Sequence, residues 1–243
     1  MSLLGIIGGT GAVELFPVER RSEMTTPFGA PSARPCEIRF GDKRAWFLAR
    51  HGTPHRIPPH RVNYRANIHV LRALGVTNVL AINAVGAVDA ALRPGSLVVP
   101  DQLIDYTSGR LQTYSEGGSS PLRHVDFTEP FAGRTRETLL AAAEDGVDGG
   151  CVAVTNGPRL ETAAEVARMA RDGCNLVGMT SMPEAVLARE AGLDYASLCV
   201  VANPAAGVGT ETISVDEIHA VLDEAMESVR EVVRRVAGAL GGD

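Results

Sequence analysis

Apolar and polar positions along the chain alternate between two rhythms. Short apolar runs at residues 3–7, 79–82, 96–99, 152–155, 176–179 and 195–202 are bounded by Gly, Pro or polar residues, as buried strands are. Between them apolar residues recur at three- and four-residue steps. Helices are predicted over residues 63–74, closed by Gly75, over 134–144, after Thr162 and after Ser181. A last helix carries Ile218, Val221, Leu222, Ala225, Val229, Val232, Val233 and Val236 as one core-facing stripe. Residues 36–49 alternate about Gly41-Asp42 and predict a hairpin. Strands interleaved with helices predict an α/β fold with a largely parallel or mixed sheet.

Three helix starts share a signature. Thr162 with Glu165, Ser181 with Glu184 and Ser214 with Glu217 each read as a capping box, in which side chain and backbone satisfy one another's hydrogen bonds. The first two follow strand-like runs directly. They place helix N-termini at the carboxyl ends of strands, where open α/β sheets bind ligands. Glu161 and Thr180 each stand one residue before such a cap, offering a carboxylate and a hydroxyl beside anion-favouring backbone amides. Residues 101–132 predict no regular element, and a loop that long is usually functional or covers a partner. Residues 205–212 (A-A-G-V-G-T-E-T) read as a flexible gate.

Totals narrow the function classes. The 243 residues show no linker, repeat or charge block, so one domain over 1–243 is expected. A net charge of −6 argues against nucleic acid or an anionic membrane as the main partner. Any anion site must then be local. No apolar run approaches the roughly 20 residues that span a bilayer, and the N-terminus lacks a signal-type segment. Cys36, Cys151, Cys174 and Cys199 show no C-x-x-C spacing, which suits reduced thiols in a cytoplasmic protein.

The candidate chemistry sits at strand ends. Gly8-Gly9-Thr10-Gly11 can bring backbone N–H groups to a phosphate, or can be a plain structural turn. A dinucleotide fingerprint is absent, because the glycine spacing is wrong and no acidic residue ends the next strand. Arg50 and His51 offer a fork of donors and a chargeable donor to an oxyanion, or else ordinary loop polarity. His51, His55 and His60 do not share a helical face, since Pro54, Pro58 and Pro59 intervene; no metal site is expected. Asn83-Ala84 and Asn203 end two further strands.

In chain order, G-G-T-G, T-P-F-G-A-P-S, A-R-H-G-x-x-H, V-N-Y-R-A-N-I, N-G-P-R-L-E-T, V-G-M-T-S-M-P-E and the long tail helix resemble the trimeric purine nucleoside and methylthioadenosine phosphorylase family. The resemblance runs from about residue 5 to 238 of the chain. It implies a single-domain, three-layer α/β fold with a central mixed, partly barrel-like sheet flanked by helices. The implied reaction is phosphorolysis, in which inorganic phosphate displaces a purine from a nucleoside, with no cofactor and no metal. By motif match, Thr10, Arg50, His51, the Ala84 amide and Thr180 would hold phosphate. Leu160, Glu161 and Asn203 would face the base, with Glu161, Asn203 and His51 closest to the chemistry. Met179 would pack against the ribose. His124, in H-V-D-F-T-E-P-F, matches the position at which a neighbouring subunit of a homotrimer closes the sugar pocket.

Two positions bear on the substrate. Family members that take adenine resemble one another in having Asp where this chain has Asn203 and Ala205. An amide at Asn203 can donate to N7 and to a 6-oxo group. Glu161 matches a carboxylate that accepts from N1–H, a proton that neutral adenine lacks. At the sugar's 5′ end, Val215 and Ile218 are apolar where enzymes for ordinary nucleosides carry His at the first position; both can equally belong to the core stripe. This combination resembles the methylthioinosine branch of the family. An inosine/guanosine enzyme, a methylthioadenosine enzyme and a non-catalytic nucleoside-binding protein are the alternatives, in that order.

Overall fold

The computed structural model describes residues 2–9, 16, 18–117, 122–209 and 214–242. Thr10 and residues 210–212 of the expected gate lie outside them. The strands are β1 (Leu4–Gly8), β2 (Val18–Arg21), β3 (Cys36–Phe40), β4 (Lys43–Ala49), β5 (Asn78–Ala87), β6 (Leu97–Val99), β7 (Gln102–Asp105), β8 (Val147–Asp148), β9 (Cys151–Val154), β10 (Leu176–Gly178) and β11 (Asp194–Pro204). The helices are α1 (Tyr64–Ala73), α2 (Arg134–Ala142), α3 (Ala163–Arg171), α4 (Ser181–Glu190) and α5 (Val215–Leu240).

The strands form one mixed sheet whose main path is β2-β3-β4-β1-β5-β10-β9-β7. It forks at β5. The first half of β5 lies between parallel β1 and β11, whereas Gly86 and Ala87 turn to pair antiparallel with β10. A strand long enough to hold two neighbours on one edge lets a twisted sheet wrap rather than lie flat. Alternation along each strand then divides the core. Leu4, Ile6, Leu80, Ile82, Leu198 and Val200 pack under α2 and α5, while Ile7, Val79 and Ala81 pack under α1 and α4. The result is the expected three-layer α/β arrangement.

The strands that periodicity missed are those with no buried face to announce them. All of β2 (V-E-R-R) is exposed and pairs only along the edge of β3, and β8 is two exposed residues. Within the span expected to be irregular, Gln102–Asp105 forms β7 by parallel pairing with β9.

Local chemistry decided several ends as expected. Asn63 caps α1 by accepting from the Ala66 amide, and Gly75 follows at φ +83°. Thr162 and Glu165 form the complete capping box of α3. Of the box expected at α5 only one half forms, Ser214 accepting from the Glu217 amide at 3.5 Å. The box expected at Ser181 does not form. Thr180 is the N-cap of α4, without a side-chain cap bond, and Glu184 is buried and turned elsewhere. The first part of the expected gate is also fixed. Ala205 is buried and its N–H donates to the Ala87 carbonyl at 2.8 Å, while Gly207 packs on Ala163. Cys151 and Cys174 are free thiols with sulfurs 3.9 Å apart.

Candidate active site

A cavity of about 230 Å³ opens at the carboxyl ends of β1, β4, β5, β10 and β11. Arg50, His51, Ala84, Leu160, Glu161, Met179, Thr180, Asn203 and Ile218 all line it. Residues spread over most of the chain meet there because parallel strands deliver their following loops to one end of the sheet.

The deepest corner is built on charge. Arg50 is only 1% exposed. Its Nε and Nη2 donate to the two carboxylate oxygens of Glu184 at 2.8 and 2.9 Å, and Nη1 donates to the Ile82 carbonyl at 3.0 Å. Glu184 is fully buried and also accepts from the Tyr195 hydroxyl at 3.0 Å. Burial works against the guanidinium charge, but the charge and hydrogen bonds of Glu184 outweigh it and hold Arg50 above its ordinary pKa. Burial, then Glu184, push the Tyr195 phenol well up. Gly9 makes room: a Cβ there would stand 3.0 Å from Arg50 Nη1.

His51 is held differently from expectation. Burial first, then the Arg50 charge, lower its pKa to about 4. The ring is therefore neutral at pH 7, and Nδ1 donates to the Ile57 carbonyl at 2.8 Å. That leaves Nε2 as an acceptor, suited to a P–O–H proton of hydrogen phosphate rather than serving as a standing positive donor. His55 stacks flat on His51 with ring centroids 4.4 Å apart. Among the described residues, no cluster of His, Cys, Asp and Glu could hold a metal ion.

Thr180 donates its hydroxyl proton to Asn83 Oδ1 at 3.0 Å, and Asn83 Nδ2 donates to Ser197 at 2.7 Å. The Thr180 oxygen is thereby fixed at the N-terminus of α4, where free backbone amides favour an anion.

Glu161, Met179, Asn203 and Ile218 are half-buried. Glu161 Oε1 accepts from the Thr155 hydroxyl at 2.6 Å, and its other oxygen has no hydrogen-bond partner among the described residues. Asn203 Nδ2 donates to the Pro204 carbonyl at 2.7 Å. Its second N–H and its amide oxygen remain for a ligand. Met179 lies over Gly157, whose φ of +56° and contact with the Met179 sulfur exclude a side chain. Ile218 lines the cavity while also packing against the α2/α5 core. Thr10 and the side chain of Val215 lie outside the described residues. His124 is exposed on the segment between β7 and α2 and does not line this cavity.

Sequence reasoning missed Glu184 as a partner of Arg50, along with His55, Pro59 and Ala206 in the lining. A carboxylate next to Pro183 in an otherwise apolar stretch was the available signal, and it was spent on the cap.

The Phosphorylase superfamily description matches residues 3–237. The chain belongs to that family. A protein from Xanthomonas campestris named probable S-methyl-5′-thioinosine phosphorylase is 49% identical over 244 residues, covering 96% of each chain. The 6-oxopurine nucleoside phosphorylase of Pyrococcus furiosus is 39% identical, covering 96% of this chain and 91% of that one. Among solved structures, methylthioadenosine phosphorylase from Schistosoma mansoni in complex with adenine superposes with a TM-score of 0.92 at 36% identity, covering 98% and 92%. The chain is thus a phosphorylase, with inorganic phosphate as co-substrate by family. No helix among the described residues is long and apolar enough to cross a membrane.

Proposed function

We propose that the protein phosphorolyses S-methyl-5′-thioinosine, yielding hypoxanthine and S-methyl-5-thioribose 1-phosphate. The observation that carries this reading is that Glu161 and Asn203 line the same cavity as Arg50, with aliphatic Ile218 also in the lining. A carboxylate favours a base that presents N1–H, and an amide N–H at N7 favours the departing purine. An unmatched buried donor or acceptor costs about 1–3 kcal/mol, which disfavours adenine. The apolar 5′ end favours a methylthio group over a hydroxyl by roughly 1–2 kcal/mol. The name carried by the Xanthomonas relative supports the same substrate.

Phosphate oxygen attacks the anomeric carbon as the bond to N9 breaks, and the bond's electron pair leaves with the purine. Positive charge develops on the sugar beside the phosphate, and negative charge on the base near Asn203. Arg50, Thr180 and the α4 N-terminus hold the phosphate, and His51 Nε2 accepts a hydrogen bond from its P–O–H. That proton is given up to water as the sugar 1-phosphate forms, and the departing purine takes one from water to leave as neutral hypoxanthine. Thr10 and the Ala84 amide complete that set, and Met179 supports the ribose. Stabilising charge where it develops, with reactants pre-positioned, removes the need for a covalent enzyme intermediate.

The reading includes one domain over 1–243 in a cytoplasmic homotrimer, with His124 of each subunit closing a neighbour's sugar pocket; purine salvage is the context. The 6-oxopurine nucleoside phosphorylase relative keeps a second reading open, an inosine/guanosine enzyme with a permissive 5′ pocket. Phosphate-dependent base release from methylthioinosine, inosine, guanosine and methylthioadenosine, measured side by side, separates them. Methylthioinosine should give the highest kcat/KM; equal rates for inosine would favour the second reading, and a preference for methylthioadenosine would defeat both.

A further inference from the structure

One side chain outside the cavity touches the supports of three of its walls. Arg110 lies half-buried on the segment between β7 and α2 and is not among the lining residues. Its Nη2 donates to the Thr155 and Asn156 carbonyls, each at 3.1 Å, and Nε donates to Asn156 Oδ1 at 3.2 Å. Its Nη1 donates to the Met179 carbonyl at 2.9 Å and to the Met182 carbonyl. The plane of the guanidinium also lies over Tyr64, 5.5 Å from the ring centroid, and the Tyr64 hydroxyl donates to the Pro59 carbonyl at 3.0 Å.

These acceptors are the backbone on which the site is mounted. Thr155 and Asn156 leave β9 and lead to Glu161, which the Thr155 hydroxyl holds directly. Met179 and Met182 flank Thr180, and Met182 has extended dihedrals (φ −112°, ψ 134°) inside α4, which turns its carbonyl away from the helix ladder. Pro59 lines the cavity. Carbonyls freed from regular structure and partly removed from water need a donor. A guanidinium, with five N–H groups fixed in one plane, can serve two divergent loop ends at once; an ammonium has three donors on a point. Burial disfavours the Arg110 charge, so its place is held by these acceptors and the Tyr64 face.

We infer that Arg110 is a positioning residue for phosphorolysis, setting the separation between the Glu161 wall and the Met179–Thr180 wall. This rests on the reading of the cavity as a nucleoside and phosphate site. The base carboxylate and the phosphate cradle sit on different strand ends, and nucleoside must bridge them with its anomeric carbon in line with phosphate. The long segment after β7 thus has a role within its own subunit.

The test is steady-state kinetics on Arg110→Gln and Arg110→Lys, varying methylthioinosine at saturating phosphate and phosphate at saturating methylthioinosine. Folding is checked by near-UV circular dichroism at the assay temperature. Misplacing a wall by an ångström can cost about 100-fold, so kcat/KM should fall 10- to 100-fold in the glutamine variant with both KM values raised. The lysine variant should fall between it and the unaltered enzyme. Unchanged KM values with only a lower apparent kcat would mean that Arg110 merely keeps a fraction of the protein folded, and would overturn the inference. Should the glutamine variant not fold, unchanged KM values in a folded lysine variant overturn it equally. An unaltered enzyme inactive on every purine nucleoside would instead sink the phosphorolysis reading, and this inference with it.

Discussion

Helices α3 and α4 begin with the same four-residue signature and use its carboxylate in opposite ways. At α3, Glu165 stays at the surface, accepts from the Thr162 amide at 2.7 Å and pairs with exposed Arg159. At α4, Glu184 is withdrawn from solvent and grips Arg50, 134 positions away in sequence. A carboxylate in water gains little beyond a local backbone partner. A carboxylate beside a buried guanidinium cannot be spared, because an unpaired buried charge is far more costly than an unmade cap. The two walls inherit this difference. The Arg50 side is fixed by long-range charge within the core, while Glu161, on the segment after β9, and Asn203, at the end of β11, make local side-chain hydrogen bonds.

The strongest test of that contrast is Glu184→Gln. Leaving Arg50 buried without its counter-charge should cost about 3–5 kcal/mol, a fall in Tm of roughly 10 °C, with a raised KM for phosphate. A thermal melt within a degree or two of the unaltered protein would show the pair to be dispensable. His51 sharpens the same corner through pH. In the unfolded chain the imidazole takes a proton below about 6.5, but in the folded protein only near 4. The unfolded state therefore gains protons first, so this contribution is intact above pH 6.5 and is lost as pH falls toward 4. The Tm of His51→Asn should accordingly decline less steeply than that of the unaltered protein over this window; parallel curves would contradict the assignment.

On the other wall the expected effects are in selectivity more than stability. Asn203→Asp should move the ratio of kcat/KM for methylthioadenosine over methylthioinosine upward by about tenfold or more, since one mismatched buried polar group is worth 1–3 kcal/mol. Equal losses on both nucleosides would remove Asn203 from the base site. Smallest is Thr162→Ala at the α3 cap, expected to lower stability by about 1 kcal/mol. A loss as large as that at Glu184 would erase the distinction between the two helix starts.

How much of this was legible in the chain depends on the range of the interaction concerned. The cap at Thr162, the helix end at Gly75, the turn at Gly41 and the stripe of α5 needed only neighbouring residues, and each appears where the local pattern placed it. The motif residues Arg50, Glu161, Thr180 and Asn203 were nominated from strand ends and resemblance, and the sheet brings them around one cavity. The protonation of His51 was not legible, because burial sets it and burial is a property of the packed chain. Nor was the work of Arg110, since a lone arginine in a polar loop looks like any other solvated charge.

The sequence by itself determined the helices and the buried strands, where most helices start, and that strand-end chemistry gathers at one end of an α/β sheet. Those outcomes follow from side-chain spacing and local hydrogen bonding, which act over a turn or two. Only the tertiary structure decided that Glu184 abandons its cap for Arg50, that His51 is neutral, and that one guanidinium ties two loop ends together. Each of these depends on which groups are removed from water in each other's company, and no window of sequence contains both partners.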